Sequence, residues 1–305
     1  MVLKIKERYT GCLLGLALGD ALGAPHEGGP IAGFIWQIAG AGERGKLRWT
    51  DDTQMSLVLA EHLASHSQPD VDLLASEWAA EMQLMRGYGP GPRKLLGRVS
   101  AGEDWRTVNR TIWPEGSYGN GAAMRAAPLG LRWSENSDAR DRWTNETSIV
   151  THAHPRGVAG AQLIADGVAR SLREEGPVDE FLEALAEDCE SPPFIEKLRA
   201  AVRWGDDSAT VSSVYEELGN SVVALESVPT ALYIGARFAR ECDFEGMMRF
   251  IIELGGDVDT IGAMAGAIFG ARCGVTALPV ESLEQLEAKE RIESAALKLL
   301  DQASK

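Results

Sequence analysis

Two short segments of the sequence place hydroxyl and carboxylate side chains next to one another, one early in the chain and one late. The first is Thr50-Asp51-Asp52, and the second contains Asp257, Asp259 and Thr260. Mg²⁺ and related hard divalent cations prefer oxygen ligands of these types, and carboxylates bridge two cations that sit close together. If the fold brings the two segments into contact, they can form a cage for one or two such cations.

The same residues admit a purely structural interpretation. Each segment stands immediately before an apolar stretch that is typical of a helix, Met55 to Leu63 in one case and Ile261 to Phe269 in the other. Thr and Asp often occupy the first position of a helix, where a side-chain oxygen accepts a free backbone N–H. A helix cap accounts for either segment alone, and the presence of two matched segments favours a cation site.

Helical patterning dominates the elements that must position these segments. The first predicted helix runs from Lys4 to Leu22, and its small residues permit close packing against another helix. A loop rich in Gly and Pro follows, from Gly23 to about Lys46, and the second helix begins at Thr50. No convincing alternating strand pattern of more than four residues is present. Further helices are predicted at 70–86, 92–100, 120–131, 136–149, 155–174, 179–187, 193–204, 208–217, 227–240, 243–253, 258–273 and 280–302. We therefore expect an all-α fold, a compact multi-helix bundle in a single domain over residues 1–305, since the two acidic segments must meet across the whole chain.

The composition excludes several classes of function. The chain of 305 residues is 45% hydrophobic and 25% charged, with a formal net charge of −15 and no Lys/Arg-rich block, so direct nucleic-acid binding is not expected. Its four cysteines show no CxxC spacing, which argues against a zinc ribbon or a redox motif and favours reduced thiols in the cytoplasm. No apolar run approaches the ~18–20 residues of a membrane span, so no membrane association is expected.

A glycine-rich loop from Gly116 to Gly121 leads into one of the predicted helices. Glycine lets a backbone approach a ligand closely, and a helix N-terminus offers free N–H groups to an anion, so a diphosphate would suit this loop. The structural alternative is a plain tight turn. The loop is neither a GxGxxG after a strand nor a P-loop, which argues against a dinucleotide or nucleoside-triphosphate fold of those kinds.

Two further places carry groups that could do chemistry. Glu27 follows the first helix on Gly/Pro-rich backbone, where a lone glutamate is usually just solvated. His152 and His154 precede a helix, but no cysteine or acidic residue stands at zinc-site spacing from them. From spacing alone these histidines are capping or ligand-contacting residues.

Taken together, these motifs resemble the ADP-ribosylglycohydrolase family, also called ADP-ribosyl-acceptor hydrolases. The resemblance runs from the stretch between Gly11 and Gly23 to the stretch between Gly255 and Thr260, so it covers nearly the whole chain with its motifs in family order. It implies a compact all-α bundle that holds two Mg²⁺ or Mn²⁺ ions and hydrolyses ADP-ribose linkages. The implied partners are ADP-ribose and ADP-ribosylated proteins or small molecules.

The resemblance also implies roles for individual residues. Glu27 matches a glutamate that works beside the metals, and Tyr118 is placed to stack on adenine. The implied metal ligands are Thr50, Asp51, Asp52, Asp257, Asp259 and Thr260. The implied contacts to ADP-ribose are Tyr88, Ser117, Tyr118, Gly119, Asn120, Gly121 and His152.

One departure bears on the substrate. Arginine-type bacterial members carry an acidic residue in an Asp-Ile-Gly motif, whereas positions 88–92 here read Tyr-Gly-Pro-Gly-Pro. The sequence looks more like the branch that cleaves O-linked ADP-ribose in ADP-ribosyl-serine, poly(ADP-ribose) and O-acetyl-ADP-ribose. An arginine-directed hydrolase and a non-catalytic, crystallin-like ADP-ribose binder are the alternatives on the same fold. An unrelated metal-dependent phosphohydrolase would release phosphate or AMP instead of ADP-ribose.

Overall fold

The computed structural model describes residues 4–27, 36, 46–173, 176–205 and 209–305. Most of the loop predicted from Gly23 to Lys46 lies outside these residues. Within them the chain is built from α-helices, which confirms the predicted all-α class. Extended backbone in the described ranges pairs at two isolated bridges, Leu47 with Leu286 and Gly119 with Val223.

The α-helices of the described residues are numbered in chain order. They are α1 (Ile5–Gly23), α2 (Asp51–Ser65), α3 (Val71–Glu81), α4 (Pro90–Ser100), α5 (Trp105–Ile112), α6 (Ala127–Arg132), α7 (Ser137–Ser148), α8 (Pro155–Ser171), α9 (Val178–Asp188), α10 (Pro192–Val202), α11 (Val211–Glu217), α12 (Ala224–Ala239), α13 (Phe244–Leu254), α14 (Val258–Cys273), α15 (Val280–Gln285) and α16 (Lys289–Ala303), with single 3-10 turns at Ala24–His26 and Val275–Ala277.

Three predicted helices differ from the observed ones by more than three residues or by an interruption. The helix predicted at 70–86 ends at Glu81. The helix predicted at 120–131 begins only at Ala127, because the preceding residues form consecutive turns. The helix predicted at 280–302 is two helices, and Ala288 between them adopts a left-handed conformation with φ of 54°, which interrupts the helical hydrogen bonding.

Helix α5 was not predicted. It spans eight residues, too few for a clear periodic pattern. Asp104 caps it by accepting a hydrogen bond from the backbone N–H of Thr107, and Trp105 and Val108 are buried on its inner face. The cap and the buried face together explain why this short segment is helical.

Helix α14 is the centre of the fold, and all of its residues are buried. It packs against α1, α12 and α8. A helix that is apolar on every side belongs in the interior, where neighbours cover its whole circumference.

The contact between α1 and α14 is made by glycines on both helices. A methyl group added to Gly15 would stand 2.3 Å from the carbonyl oxygen of Gly266, and one added to Gly11 would stand 2.5 Å from that of Gly270. Residue numbers rise along one helix as they fall along the other, so the helices are antiparallel. The predicted close packing of the first helix is therefore confirmed, and it sets the end of α1 beside the start of α14.

No helix among the described residues is long and apolar enough to cross a lipid bilayer.

Candidate active site

The first acidic segment forms the N-terminus of α2. Thr50 is the capping residue, because its Oγ1 accepts the backbone N–H of Asp52 at 3.2 Å and donates to Asp52 Oδ2 at 2.9 Å. Asp20, fully buried near the end of α1, accepts the N–H groups of Thr50 and Thr53 at 2.9 to 3.0 Å and the Thr53 hydroxyl at 2.5 Å. One carboxylate thus satisfies three donors at this helix end and ties α2 to α1.

A second tie holds the same segment from the opposite side. The backbone N–H of Asp51 donates to the carbonyl oxygen of Arg86 at 2.7 Å, and the Arg86 guanidinium donates to the Trp49 carbonyl at 2.8 Å. The guanidinium also lies over the Trp49 ring, 3.7 Å from its centroid. Its two terminal nitrogens form a two-point ion pair with Glu287, at 2.6 and 2.7 Å. Arg86 therefore anchors the approach to α2 on the segment that joins α15 to α16.

The second acidic segment forms the N-terminus of α14. Gly255 and Gly256 have φ of 69° and 77°, a left-handed backbone that turns the chain sharply before Asp257. The backbone N–H of Asp257 donates to the Asn220 carbonyl at 2.9 Å. Its Oδ2 accepts a hydrogen bond from the Asn120 amide at 2.5 Å, which joins this segment to the glycine-rich loop.

Glu27 belongs to the same cluster as the second segment. A carboxylate oxygen from each of Glu27, Asp257 and Asp259 lies within 4.8 Å of the other two. The Gly23 backbone makes this approach possible, because a methyl group there would stand 2.6 Å from the Asp259 Cα. Glu27 is exposed whereas the two aspartates are buried, so its carboxylate lies on the solvent side of the cluster.

Carboxylates of each acidic segment raise the pKa of a carboxylate in the other. Burial raises the pKa of Asp52 well above its usual value, and the charges of Asp20, Asp51 and Asp257 raise it further. The pKa of Asp259 is likewise raised, first by burial and then by Asp52 and other acidic neighbours. The contacts at the end of α1 carry the same conclusion: Asp20 accepts the Thr50 N–H, and Gly23 lies against Asp259, so the structure brings positions 50–52 and 257–260 to the same end of this helix.

The cluster fits a hard cation on a separate ground. Asp52 Oδ1 is buried and has no hydrogen-bond partner among the described residues. A buried carboxylate oxygen without a partner is costly, and several mutually repelling carboxylates add to that cost. Divalent cations would satisfy the oxygen and neutralise the repulsion. The buried hydroxyls of Thr50 and Thr260 complete a donor set composed entirely of oxygen.

The glycine-rich loop lies directly against the residues around His152. A methyl group on Gly121 would stand 2.5 Å from His152 Cε1, and one on Gly116 would stand 2.2 Å from the backbone nitrogen of His154. The Gly119 N–H donates weakly to Ser117 Oγ at 3.3 Å. Glycine is required here because any side chain would separate the loop from the imidazole.

The residues predicted to contact ADP-ribose differ in exposure. Tyr118 is 54% exposed, and its ring meets the His154 ring edge-on at 5.7 Å. His154 itself caps α8 by accepting the Arg156 N–H, as one of its two predicted roles requires. His152 is buried, and burial together with nearby Arg125 lowers its pKa to about 3, so the imidazole is neutral at pH 7.

Tyr88 and Asn120 are engaged with the protein. Tyr88 is 2% exposed, and its hydroxyl donates to Gln54 Oε1 at 2.9 Å. Burial raises the pKa of this phenol, and the nearby charge of Asp51 raises it further. Asn120 donates to Ser227 Oγ at 3.0 Å as well as to Asp257. The observed position of Tyr88 is that of a packing residue beneath the first acidic segment, and its contact with substrate stays a prediction.

Several residues that shape this site were not predicted. Arg86 and Glu287 are ordinary charged residues in the sequence, and nothing local distinguishes them. Arg125 is fully buried beneath the glycine-rich loop, where its guanidinium donates to the Gly121 carbonyl at 2.7 Å. An arginine within a run of small apolar residues is the one signal that could have identified it.

Comparison with known proteins identifies a family and several relatives. A sequence profile for "ADP-ribosylglycohydrolase" matches residues 1–305. The chain is 31% identical over 338 residues to ADP-ribosylhydrolase ARH3 of Homo sapiens, with 96% of this chain and 92% of that protein covered. It is 32% identical to ADP-ribosylhydrolase ARH3 of Gallus gallus, with coverage of 95% and 91%.

One further relative and one solved structure are also similar to this chain. An uncharacterized protein of Archaeoglobus fulgidus is 33% identical over 314 residues and 97% of each chain. A solved "ADP-ribosylglycohydrolase-related protein complex" contains a chain that superposes with a TM-score of 0.71 at 29% identity, with coverage of 98% of this chain and 99% of that one.

Proposed function

The chain belongs to the ADP-ribosylglycohydrolase family, and we propose that it hydrolyses O-linked ADP-ribose, releasing ADP-ribose from ADP-ribosyl-serine, poly(ADP-ribose) and O-acetyl-ADP-ribose. The observation that carries the proposal is the carboxylate cluster of Glu27, Asp257 and Asp259. Through Asn120 this cluster is joined to a glycine-rich loop suited to a diphosphate. A carboxylate cluster suited to cations beside a loop suited to a diphosphate matches the distal ribose and the adjoining diphosphate of an ADP-ribosyl group.

The proposed cofactor is a pair of Mg²⁺ or Mn²⁺ ions. Bound there, the ions would chelate the vicinal hydroxyls of the distal ribose and stabilise negative charge as the glycosidic bond breaks. Their proposed ligands are Thr50, Asp51, Asp52, Asp257, Asp259 and Thr260.

Glu27 is the proposed acid–base residue. Cleavage at the anomeric carbon builds positive charge on the ribose ring, and the attacking water must lose a proton. Glu27 faces solvent at the edge of the cluster, whereas Asp257 and Asp259 are buried. An exposed carboxylate can reach a water or a leaving group, so Glu27 is suited to orient the water, accept its proton and assist the leaving group.

The glycine-rich loop and its neighbours are proposed to hold the rest of the ligand. The backbone of residues 117–121 would approach the diphosphate, and the exposed ring of Tyr118 offers a surface for adenine. His152 lies against the loop with a neutral imidazole, so it would contribute a hydrogen bond and no charge.

The preference for an O-linkage follows from the residues near Tyr88. When an arginine linkage is cleaved, the leaving group is a guanidine, which is positively charged at pH 7 when protonated. A nearby carboxylate would recognise that charge. Residues 88–92 contain no carboxylate, and Tyr88 is turned into the core. When a seryl linkage is cleaved, the leaving group is a neutral serine hydroxyl, which needs no such partner. One missing interaction corresponds to discrimination of about tenfold to a couple of hundredfold.

A comparison of kcat/KM on matched seryl and arginyl ADP-ribosyl peptides tests the proposal, with free ADP-ribose as the product to be identified. We expect the seryl peptide to be favoured by about tenfold or more. An equal or higher value for the arginyl peptide contradicts the linkage assignment. Release of AMP or phosphate contradicts the reaction itself, and tight binding of ADP-ribose without turnover indicates the non-catalytic alternative.

A further inference from the structure

A chain of buried hydrogen bonds runs behind the glycine-rich loop and ends at His152. Arg125 Nη2 donates to Thr151 Oγ1 at 2.8 Å, and the same oxygen lies 2.8 Å from His152 Nδ1. Arg125 and Thr151 are buried almost completely, and His152 is 5% exposed. None of the three polar groups can exchange its partners for bulk water.

The donor and acceptor inventory of these groups determines the direction of each bond. A guanidinium donates and cannot accept, so Thr151 Oγ1 must accept from Arg125. Among the described residues, the other group within hydrogen-bonding distance of this oxygen is His152 Nδ1. The single hydroxyl proton of Thr151 therefore has one available acceptor, and if Nδ1 carried a proton the buried hydroxyl proton would have none.

The opposite edge of the imidazole faces the loop. His152 Nε2 lies 2.9 Å from the position a methyl group on Gly121 would take and 3.4 Å from the corresponding position on Gly119. The structure shows no hydrogen bond from Nε2 to a described residue. Burial and the neighbouring guanidinium hold the pKa of His152 at about 3, so a single ring proton must reside on one nitrogen or the other at neutral pH.

We infer that Arg125 and Thr151 are positioning residues that hold His152 in its Nε2–H tautomer, so that Nε2 donates a hydrogen bond to an oxygen of the ligand seated on the glycine-rich loop. The role of the ligand in this inference rests on the proposed function. Arg125 reinforces the arrangement by also donating to the Gly121 carbonyl, at 2.7 Å, which holds the loop against the imidazole. Its guanidinium is itself fixed over the Trp78 ring at 4.4 Å.

The first test is made on the free protein. Long-range ¹H–¹⁵N spectra of histidine-labelled protein distinguish the two tautomers, and His152→Gln assigns the signal among the five histidines. We expect a protonated Nε2 and an unprotonated Nδ1 in the wild type. A wild-type Nδ1–H tautomer overturns the inference, whatever the protein binds.

The second test uses a pair of variants at Thr151. Thr151→Val keeps the shape and removes the hydroxyl, and Thr151→Ser retains the hydroxyl. We expect Thr151→Val to weaken the preference for the Nε2–H tautomer, so that both tautomers are populated, and to weaken ADP-ribose binding in calorimetry by about tenfold, the scale of one lost hydrogen bond. We expect Thr151→Ser to keep the wild-type spectrum and affinity.

The results separate this inference from the proposed function. Wild-type affinity and an unchanged tautomer in Thr151→Val would overturn the positioning role. If the wild type binds no ADP-ribose, the proposed function fails, while the spectrum of the free protein still supports or overturns the tautomer assignment by itself.

Discussion

Gly19 of α1 and Gly262 of α14 meet backbone to backbone, and a methyl group placed on Gly19 would stand 2.0 Å from the Gly262 carbonyl oxygen. This contact is one of a series along two antiparallel helices, and it stands next to the acidic site. Asp20 follows Gly19 and holds the N-terminus of α2, while Asp259 lies one turn before Gly262. The separation of the two helices therefore sets the separation of the two acidic segments.

Gly19→Ala is expected to destabilise the protein by about 1–3 kcal/mol or more, because the backbone of α14 cannot move aside for the added methyl group. Gly97→Ala in α4 is the matched control, since no atom lies within 4 Å of its added methyl group. Replacing that exposed helical glycine should stabilise the protein by about 0.5–1 kcal/mol. Urea unfolding of both variants measures the two changes in unfolding free energy. Equal changes for the two variants would contradict the close packing of α1 against α14.

Removal of divalent cations should make stability depend on pH. Burial raises the pKa of Asp20 to about 6, and burial together with neighbouring negative charges raises that of Asp257 to about 6 and that of Asp51 to about 8. In the unfolded chain the same groups have a pKa near 4, so the cation-free folded state binds more protons between about pH 4 and pH 8. Protonation thus stabilises the cation-free fold at low pH, and this contribution is lost as pH rises through the folded values.

Mg²⁺ should consequently stabilise the protein more at about pH 8 than at about pH 5, because fewer protons compete for the carboxylates. At a hundred times its dissociation constant, a cation that binds the folded state adds about 2.7 kcal/mol. Urea unfolding with Mg²⁺ and with chelator at both pH values measures the increase in unfolding free energy that Mg²⁺ causes. Glu281→Gln, which alters an exposed carboxylate on α15, should respond as the wild type does. An Mg²⁺ effect of the same size at both pH values would argue against binding at the raised-pKa carboxylates.

Asp20→Ala is expected to cost about 3 kcal/mol, because it leaves two backbone N–H groups and the Thr53 hydroxyl without their buried acceptor. Asp70→Ala is the control. Asp70 caps α3 through two backbone N–H groups but is exposed, so water replaces it and the cost should be about 1 kcal/mol. Equal losses for the two variants would show that Asp20 is an ordinary cap.

The start of α2 was readable in the sequence because a helix cap is a local interaction. Thr50 does cap α2, and the same segment converges with Asp257 and Asp259, so the structural and chemical interpretations of these residues are compatible. The small residues of α1 predicted a close helix contact. The identity of the partner helix was not predicted, because the spacing of Gly262, Gly266 and Gly270 acquires its meaning only when paired with α1.

Residues whose roles depend on distant partners could not be predicted in the same way. Arg86 pairs with Glu287, 201 positions away, and Arg125 is buried only because Trp78 and Thr151 surround it. Tyr88 was predicted to contact substrate, and its burial depends on Gln54 and the neighbouring core. Such positions are determined by tertiary packing, which leaves no periodic or local pattern in the chain.

The rate of ADP-ribose release from an ADP-ribosyl-serine peptide, titrated with Mg²⁺ in the wild type and in Asp259→Ala, tests the central claim most directly. We predict saturable Mg²⁺ dependence in the wild type, no release in chelator, and a loss of more than about a hundredfold in the variant. Asp259→Ala should remain folded, with an unfolding free energy in chelator equal to or above that of the wild type, because one repelling carboxylate is gone. Wild-type turnover in a folded Asp259→Ala protein, or undiminished release in chelator, would contradict the account.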